Sequence, residues 1–236
     1  MRTLLIILSF LILASMATAQ EAISSRLDNI VPNPGFEKYS STPIGWFYKG
    51  SHFTSVMKYW SSATAASPDV FGPRVRVPAH WASKGFGEQS ARSGKSMIGL
   101  TAYGCEDGKP HCREYIQIQL KEPLVLKQNY YFEFWVNHLP RSLRSNNLGA
   151  CFTNEETKYA TDELLTNASQ IKADKIIRTT KNGWAKISGR FTAKEEANYL
   201  MIGNFLADEE TKTQAPTDSL LNYAYYYIDD VLLKKE

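Results

Sequence analysis

Two neighbouring segments of this chain repeat with a period of two residues, and that constrains the fold more than any other feature. Ile116, Ile118 and Leu120 alternate with Gln117 and Gln119. After the punctuation of Lys127-Gln128-Asn129, Tyr130, Phe132, Phe134 and Val136 alternate with Tyr131, Glu133, Trp135 and Asn137. Successive side chains of a strand point to opposite faces, so each segment reads as a strand with one face in a core and one in water. The set beginning at Tyr130 is the expected core face. Further strands are predicted at 96–101, 148–152, 184–192, 199–205 and 225–233, separated by segments carrying Gly, Asn, Asp and Lys. No long amphipathic helical pattern appears. Repeated short strands without intervening helices predict a sandwich or barrel.

The first residues carry a different signal. Arg2, an apolar run from Leu4 to Leu13 and the small residues Ala17-Thr18-Ala19 have the layout of a secretory signal peptide with its cleavage site. The apolar run is too short to span a bilayer, and no Cys follows the cleavage site to accept a lipid. Export to the periplasm or outside the cell is therefore expected, without membrane insertion. Setting aside the first 19 of 236 residues leaves 217, read as one domain over 20–236 with a loop insertion at about 40–90. That insertion holds Trp46, Trp60 and Trp81 among Ser, Ala and Pro residues. The stretch from Thr157 to Ile177 reads as a surface excursion, with a helix around Asp162–Leu165 as the alternative.

Removing Arg2 leaves 26 basic against 24 acidic residues. So balanced a charge gives no electrostatic footprint for nucleic acid or an anionic membrane. Cys105 and Cys112 enclose a turn-rich hexapeptide, and an oxidising compartment permits a disulfide between them. The rival is zinc on Cys105, His111 and Cys112, which lacks a fourth ligand. Cys151, between Ala150 and Phe152, reads as a buried thiol.

The segment Asn29-Ile-Val-Pro-Asn-Pro-Gly-Phe-Glu37 and the segment Tyr226-Tyr-Ile-Asp-Asp-Val-Leu-Leu233 together resemble the first and last strands of galactose-binding-like jelly rolls. This all-β antiparallel sandwich is the architecture of many xylan- and glucan-binding carbohydrate-binding modules. The stretches 91–99, 131–136 and 183–191 occur in the order of that family's middle strands. A narrower likeness, through Pro68-Asp69-Val-Phe71, Ala91-Arg-Ser-Gly94 and Arg113-Glu-Tyr-Ile-Gln117, is to exported Gram-negative domains that often precede an outer-membrane-protein-A-like or sorting domain. With the chain ending at Glu236, neither attachment is expected here.

The resemblance implies a structural calcium that ties the first strand to the last, with Glu37 and either Asp229 or Asp230 as side-chain ligands. It also implies a sugar-binding surface. A pyranose needs a flat aromatic face and polar groups that read its hydroxyls, and Trp135 and Tyr131 with Glu133 and Asn137 supply both on one side of one strand. The competing reading packs Trp135 beneath the excursion carrying Trp46 and Trp81. Trp60, Trp81 and Tyr103 are loop alternatives for stacking, and Trp184 reads as a packing residue.

Catalytic signatures are thin. No G-x-S-x-G, H-E-x-x-H or phosphate-cradling glycine loop occurs. Glu88, Glu114 and Glu133 offer carboxylates for a glycosidase, but so does any chain with this many acids. The expectation is a non-catalytic binder of carbohydrate. The alternatives are a cell-envelope interaction domain that meets a protein partner, and a hydrolase.

Overall fold

The computed structural model describes residues 28–45, 49–105, 112–162, 164–180 and 183–236. The expected signal peptide, Trp46 and His111 lie outside these residues. The described chain is a two-layer antiparallel jelly-roll sandwich. The strands, in chain order, are β1 (Trp60–Ser62), β2 (Asp69–Phe71), β3 (Met97–Tyr103), β4 (Ile116–Leu124), β5 (Asn129–His138), β6 (Arg144–Ser145), β7 (Leu148–Thr153), β8 (Ile171–Lys172), β9 (Ala185–Thr192), β10 (Ala197–Asn204), β11 (Thr213–Gln214) and β12 (Ala224–Lys235). One sheet runs β1-β4-β10-β7-β8 and the facing sheet β2-β3-β12-β5-β9, with β6 and β11 paired apart from both. The predicted strands are all present.

The period-two pattern does what its chemistry demands. Tyr130, Phe132, Phe134 and Val136 are fully buried between the layers. They meet Ile116, Ile118, Leu200 and Ile202 of the opposite sheet in one continuous core. Phe132 packs edge-on against Phe152 across the gap, with ring centroids 5.6 Å apart, a favoured aromatic geometry.

The opening and closing segments meet. The Asn29 side chain accepts hydrogen bonds from the amides of Val31 and Leu233, each at 3.0 Å, and donates to the Val231 carbonyl at 2.9 Å. Ile30 donates its amide to Leu233, and Lys121 of β4 donates to Ile30. Residues 29–31 thereby bridge the last strand of one sheet and an inner strand of the other.

The 40–90 insertion contains more order than its composition predicts. Besides β1 and β2 it forms two short helices, α1 (Gly50–Val56) and α2 (Ala79–Ala82). Trp60 is a core residue, its ring 5.0 Å from Phe36 and its indole N–H donated to the Asn33 carbonyl, which removes it as a stacking candidate. Trp81 packs on Phe86, whose ring also meets Tyr225. This excursion covers one half of the outer face of the β5 sheet with a second apolar cluster. Trp184 packs at its margin, as expected.

One further expectation changes. Gln117 was expected to face water but is buried, because the 154–162 segment crosses the outer face of the β4 sheet. Its side-chain amide clasps both backbone groups of Thr157. The helix weighed as the alternative around Asp162–Leu165 is not seen in the residues described there, which leaves the surface excursion. Cys105 and Cys112 are disulfide-bonded, with Cα atoms 4.9 Å apart, which removes both thiols as zinc ligands. Cys151 is a buried free thiol, and burial pushes its pKa up to about 12. Among the described residues, no helix is long and apolar enough to cross a membrane.

Candidate functional site

The part of the β5 sheet that the excursion leaves uncovered carries Tyr131, Glu133 and Trp135. All three are half-buried. On β9, Lys186, Ser188 and Arg190 stand opposite Trp135, Glu133 and Tyr131, and on β12 Lys234 stands opposite Tyr131. Glu133 organises the group. Its carboxylate accepts a hydrogen bond from the Tyr131 hydroxyl at 2.6 Å and from the Trp135 indole N–H at 3.4 Å. It also pairs with the Lys186 ammonium at 3.2 Å. That carboxylate, with the Tyr131 hydroxyl, raises the Lys186 pKa.

Cations lie over both rings. The Arg92 guanidinium is 3.7 Å from the Trp135 ring centroid and Lys186 is 5.7 Å from it, while Arg190 and Lys234 stand 5.4 and 5.9 Å from that of Tyr131. These distances lie within cation–π range. Trp135 therefore packs under Arg92, not under Trp81.

Asn137 does not join this group. It is 1% exposed, and its amide donates to the carbonyls of Thr180 and Gly183, so it is committed to the backbone ahead of β9 and cannot read a hydroxyl in solvent. The strand keeps its alternation, but the covered half of the sheet begins at Asn137. Sequence reasoning missed Arg92, Lys186, Arg190 and Lys234. The alternation of Lys186, Ser188 and Arg190 was visible, yet its pairing with β5 was not.

Glu37, Asp229 and Asp230 all address one loop, residues 92–96. Asp229 is fully buried and accepts the amides of Arg92 at 2.8 Å, Ser93 at 3.1 Å and Asp230 at 2.7 Å. Glu37 accepts the amides of Lys95 and Ser96 at 2.7 and 2.8 Å. Asp230 pairs with the Arg92 guanidinium and accepts from the Ser93 hydroxyl at 2.6 Å. A one-residue bulge in β12 between Asp229 and Leu232 turns both aspartates toward the loop. Gly94 sits at φ +62°, and a Cβ there would collide with the Glu37 carboxylate. Burial first, and the neighbouring Asp230 charge second, push the Asp229 pKa up to about 7.

Among the described residues no group of three or more His, Cys, Asp or Glu side chains is placed to hold a metal ion. The carboxylates of Glu37 and Asp229 face N–H donors, whose positive ends oppose a cation. As placed, this donor set fits an amide clasp better than a calcium shell.

A third group was not foreseen. Asp69 and Glu114 are both buried on the covered half of the β5 sheet and interact electrostatically. Tyr225 donates its hydroxyl to Asp69 at 2.6 Å, and the Thr101 amide donates to Glu114 at 2.6 Å. The other Asp69 oxygen is buried without a hydrogen-bond partner. Burial, then the Glu114 charge, hold the Asp69 carboxyl well above the usual carboxylate range, and burial pushes Glu114 up to about 8. Two such groups share the cost of a single charge and keep at least one proton. Buried and covered, Glu114 presents no carboxyl to substrate; of the other two glycosidase candidates, Glu133 is occupied by Tyr131, Trp135 and Lys186, and Glu88 is exposed.

Elsewhere, exposed Tyr59 borders a shallow groove with Asn33, Lys38, Gln119 and Lys121. Asn33 and Lys121 spend their polar atoms on backbone amide and carbonyl groups, so the β5 face holds the better-equipped surface.

No protein-family model matches the sequence, and no curated protein does. Among solved structures the chain is similar to the CBM22-1 xylan-binding domain of Xyn10C from Paenibacillus barcinonensis, at 11% identity over 82% of this chain and 97% of that one, TM-score 0.38. It is similar to the K1 cleaved adhesin domain of Lys-gingipain from Porphyromonas gingivalis, at 12% identity over 86% and 96%, TM-score 0.39. A third likeness is to the CBM22-1-GH10 modules of endo-1,4-beta-D-xylanase 10B from Clostridium thermocellum, at 15% identity over 61% of this chain, TM-score 0.34; the match spans only 22% of that chain. Likenesses this distant decide neither ligand nor site.

Proposed function

We propose that the chain is an exported, non-catalytic carbohydrate-binding module whose ligand lies along the β5 face. The observation that carries the reading is the pair of half-buried rings, Tyr131 and Trp135, held by one carboxylate on an otherwise polar, uncovered sheet face. Rings fixed in this way lose little side-chain entropy when a ligand lands on them. Buried aromatic packing alone does not require one carboxylate that hydrogen-bonds both rings.

Affinity electrophoresis against a panel of soluble glycans tests the reading. Retardation is expected on at least one polymer, and Tyr131→Ala or Trp135→Ala is expected to weaken it about tenfold, the ~1.4 kcal/mol scale of one aromatic contact. No retardation on any glycan sinks it, and a co-purifying envelope protein would then favour the interaction-domain alternative.

Calcium at Glu37, Asp229 and Asp230 is a separate proposal, drawn from the family likeness alone. The ion would have to displace the amide donors now on Glu37 and Asp229 and complete its shell with backbone carbonyls. A melting temperature several degrees higher in about 1 mM calcium than in EDTA is expected if it binds. Identical melts in the two would remove it.

A further inference from the structure

The polar surroundings of the two rings are predominantly cationic on their solvent side. In each ion pair of this face the base is the outer partner and the acid the inner one. Lys186 is 42% exposed against 17% for Glu133, and Arg190 is 72% exposed against 30% for Glu236. The Arg92–Asp230 pair has the same order. Lys234 stands over Tyr131, and none of the ion pairs seen among the described residues involves it. The acids are thus consumed from below while positive charge faces out.

The rings point the same way. A neutral pyranose stacks on an open ring face, yet the Arg92 guanidinium already lies 3.7 Å above Trp135. A ligand gains more by engaging that guanidinium than by displacing it from both the ring and Asp230. Lys186 and Arg190 are four residues apart on one strand, and at ~3.3 Å per residue they span roughly 13 Å. Charge disposed along a line of that length matches a polymer with repeated acidic groups better than a single small anion.

We propose that the ligand of the β5 face is an acidic polysaccharide, bearing carboxylate or sulfate groups that meet Arg92, Lys186, Arg190 and Lys234, while a sugar ring contacts Tyr131, and Trp135 holds the Arg92 guanidinium in place. The inference rests on the carbohydrate-binding reading and narrows it. Guanidinium groups recognise carboxylates and sulfates through paired N–H donors, and exposed charge makes such binding sensitive to salt.

The test measures affinity at low salt for polygalacturonate, dextran sulfate and neutral xylan. At least one acidic polymer is expected to bind about tenfold or more tighter than xylan, and the two acidic arms distinguish carboxylate from sulfate. Reversing charge with Lys186→Glu and Arg190→Glu together is expected to weaken acidic binding by about tenfold or more. The same change of charge at Lys38 and Lys158, exposed residues beside β4 of the other sheet, is expected to leave it within about twofold. Lys186→Gln with Arg190→Gln checks the result with a milder change, and circular dichroism confirms the fold of each variant.

Xylan binding as tight as acidic binding, with no effect of the 186 and 190 changes, would overturn this inference and leave the carbohydrate reading standing. Equal losses from the two charge-reversal pairs would also overturn it, because net charge and not this face would then be responsible. Failure of every polymer to bind would remove both.

Discussion

Between about pH 5.5 and pH 8 the melting temperature falls by roughly 10 °C, and Glu114→Gln removes much of that fall. The direction follows from counting protons. Folded Glu114, with its pKa pushed up to about 8 by burial, keeps a proton that the unfolded chain gives up near its ordinary value of 4.5. The stability it contributes is present below about pH 4.5 and is lost as the pH rises through 8. At ~1.36 kcal/mol per pH unit, the full loss is about 5 kcal/mol, of which roughly 3 kcal/mol falls between pH 5.5 and 8. Asp69 and Asp229 are also raised and tilt stability the same way. His138 opposes them: burial lowers its pKa to about 4, so its contribution is lost as the pH falls below its ordinary 6.5. Raised carboxyls outnumber the one lowered histidine over this window, and the net slope is negative. Asp69→Asn provides a second reading, since an amide oxygen still accepts from Tyr225 and carries no charge at any pH. A wild-type melting temperature that is flat or rising from about pH 5.5 to 8 would refute the protonated pair.

The second large effect belongs to the clasp. Asp229→Ala removes the one acceptor group of three part-buried backbone amides, and a donor left unsatisfied where water cannot replace the acceptor costs ~1–3 kcal/mol. A loss of about 3–5 kcal/mol is expected, a large share of a domain stability of ~5–15 kcal/mol. Asp230→Ala, which breaks a partly exposed ion pair with Arg92, is expected to cost about 1 kcal/mol or less. Urea melts of the two variants make the comparison, and equal costs would mean that the amide clasp is not what secures loop 92–96. The two carboxylates sit side by side in sequence, so the contrast isolates burial from charge.

Much of the fold was legible because strand periodicity is local. Tyr130, Phe132, Phe134 and Val136 declare their face within seven residues, and so do Ile116, Ile118 and Leu120. The meeting of 29–37 with 226–233 was legible by resemblance, and the Asn29 side chain supplies its physical cause. What stayed hidden depends on segments that cross a sheet from far away in sequence. Gln117 and Asn137 sit in correct alternation, yet loops around 157 and 180 bury them, and nothing in their own neighbourhoods announces this. The Asp69–Glu114 pair needs the β2–β3 register and the Thr101 contact together before two acids 45 positions apart become neighbours. The site was half legible: the rings and Glu133 lie on one strand, while the cations come from β9, β12 and the 92–96 loop.

The Asn29 side chain has a consequence at the scale of the whole molecule. Because it bonds the backbone at both Val31 and Leu233, the polypeptide enters and leaves the sandwich through a single doorway. A unit of this kind can be spliced into a surface loop of a host protein without spreading the host's own two strands of chain, and its β5 face travels with it as a pendant. Tension applied at the two ends would fall on that doorway first and leave the layers beyond it unloaded until the asparagine lets go.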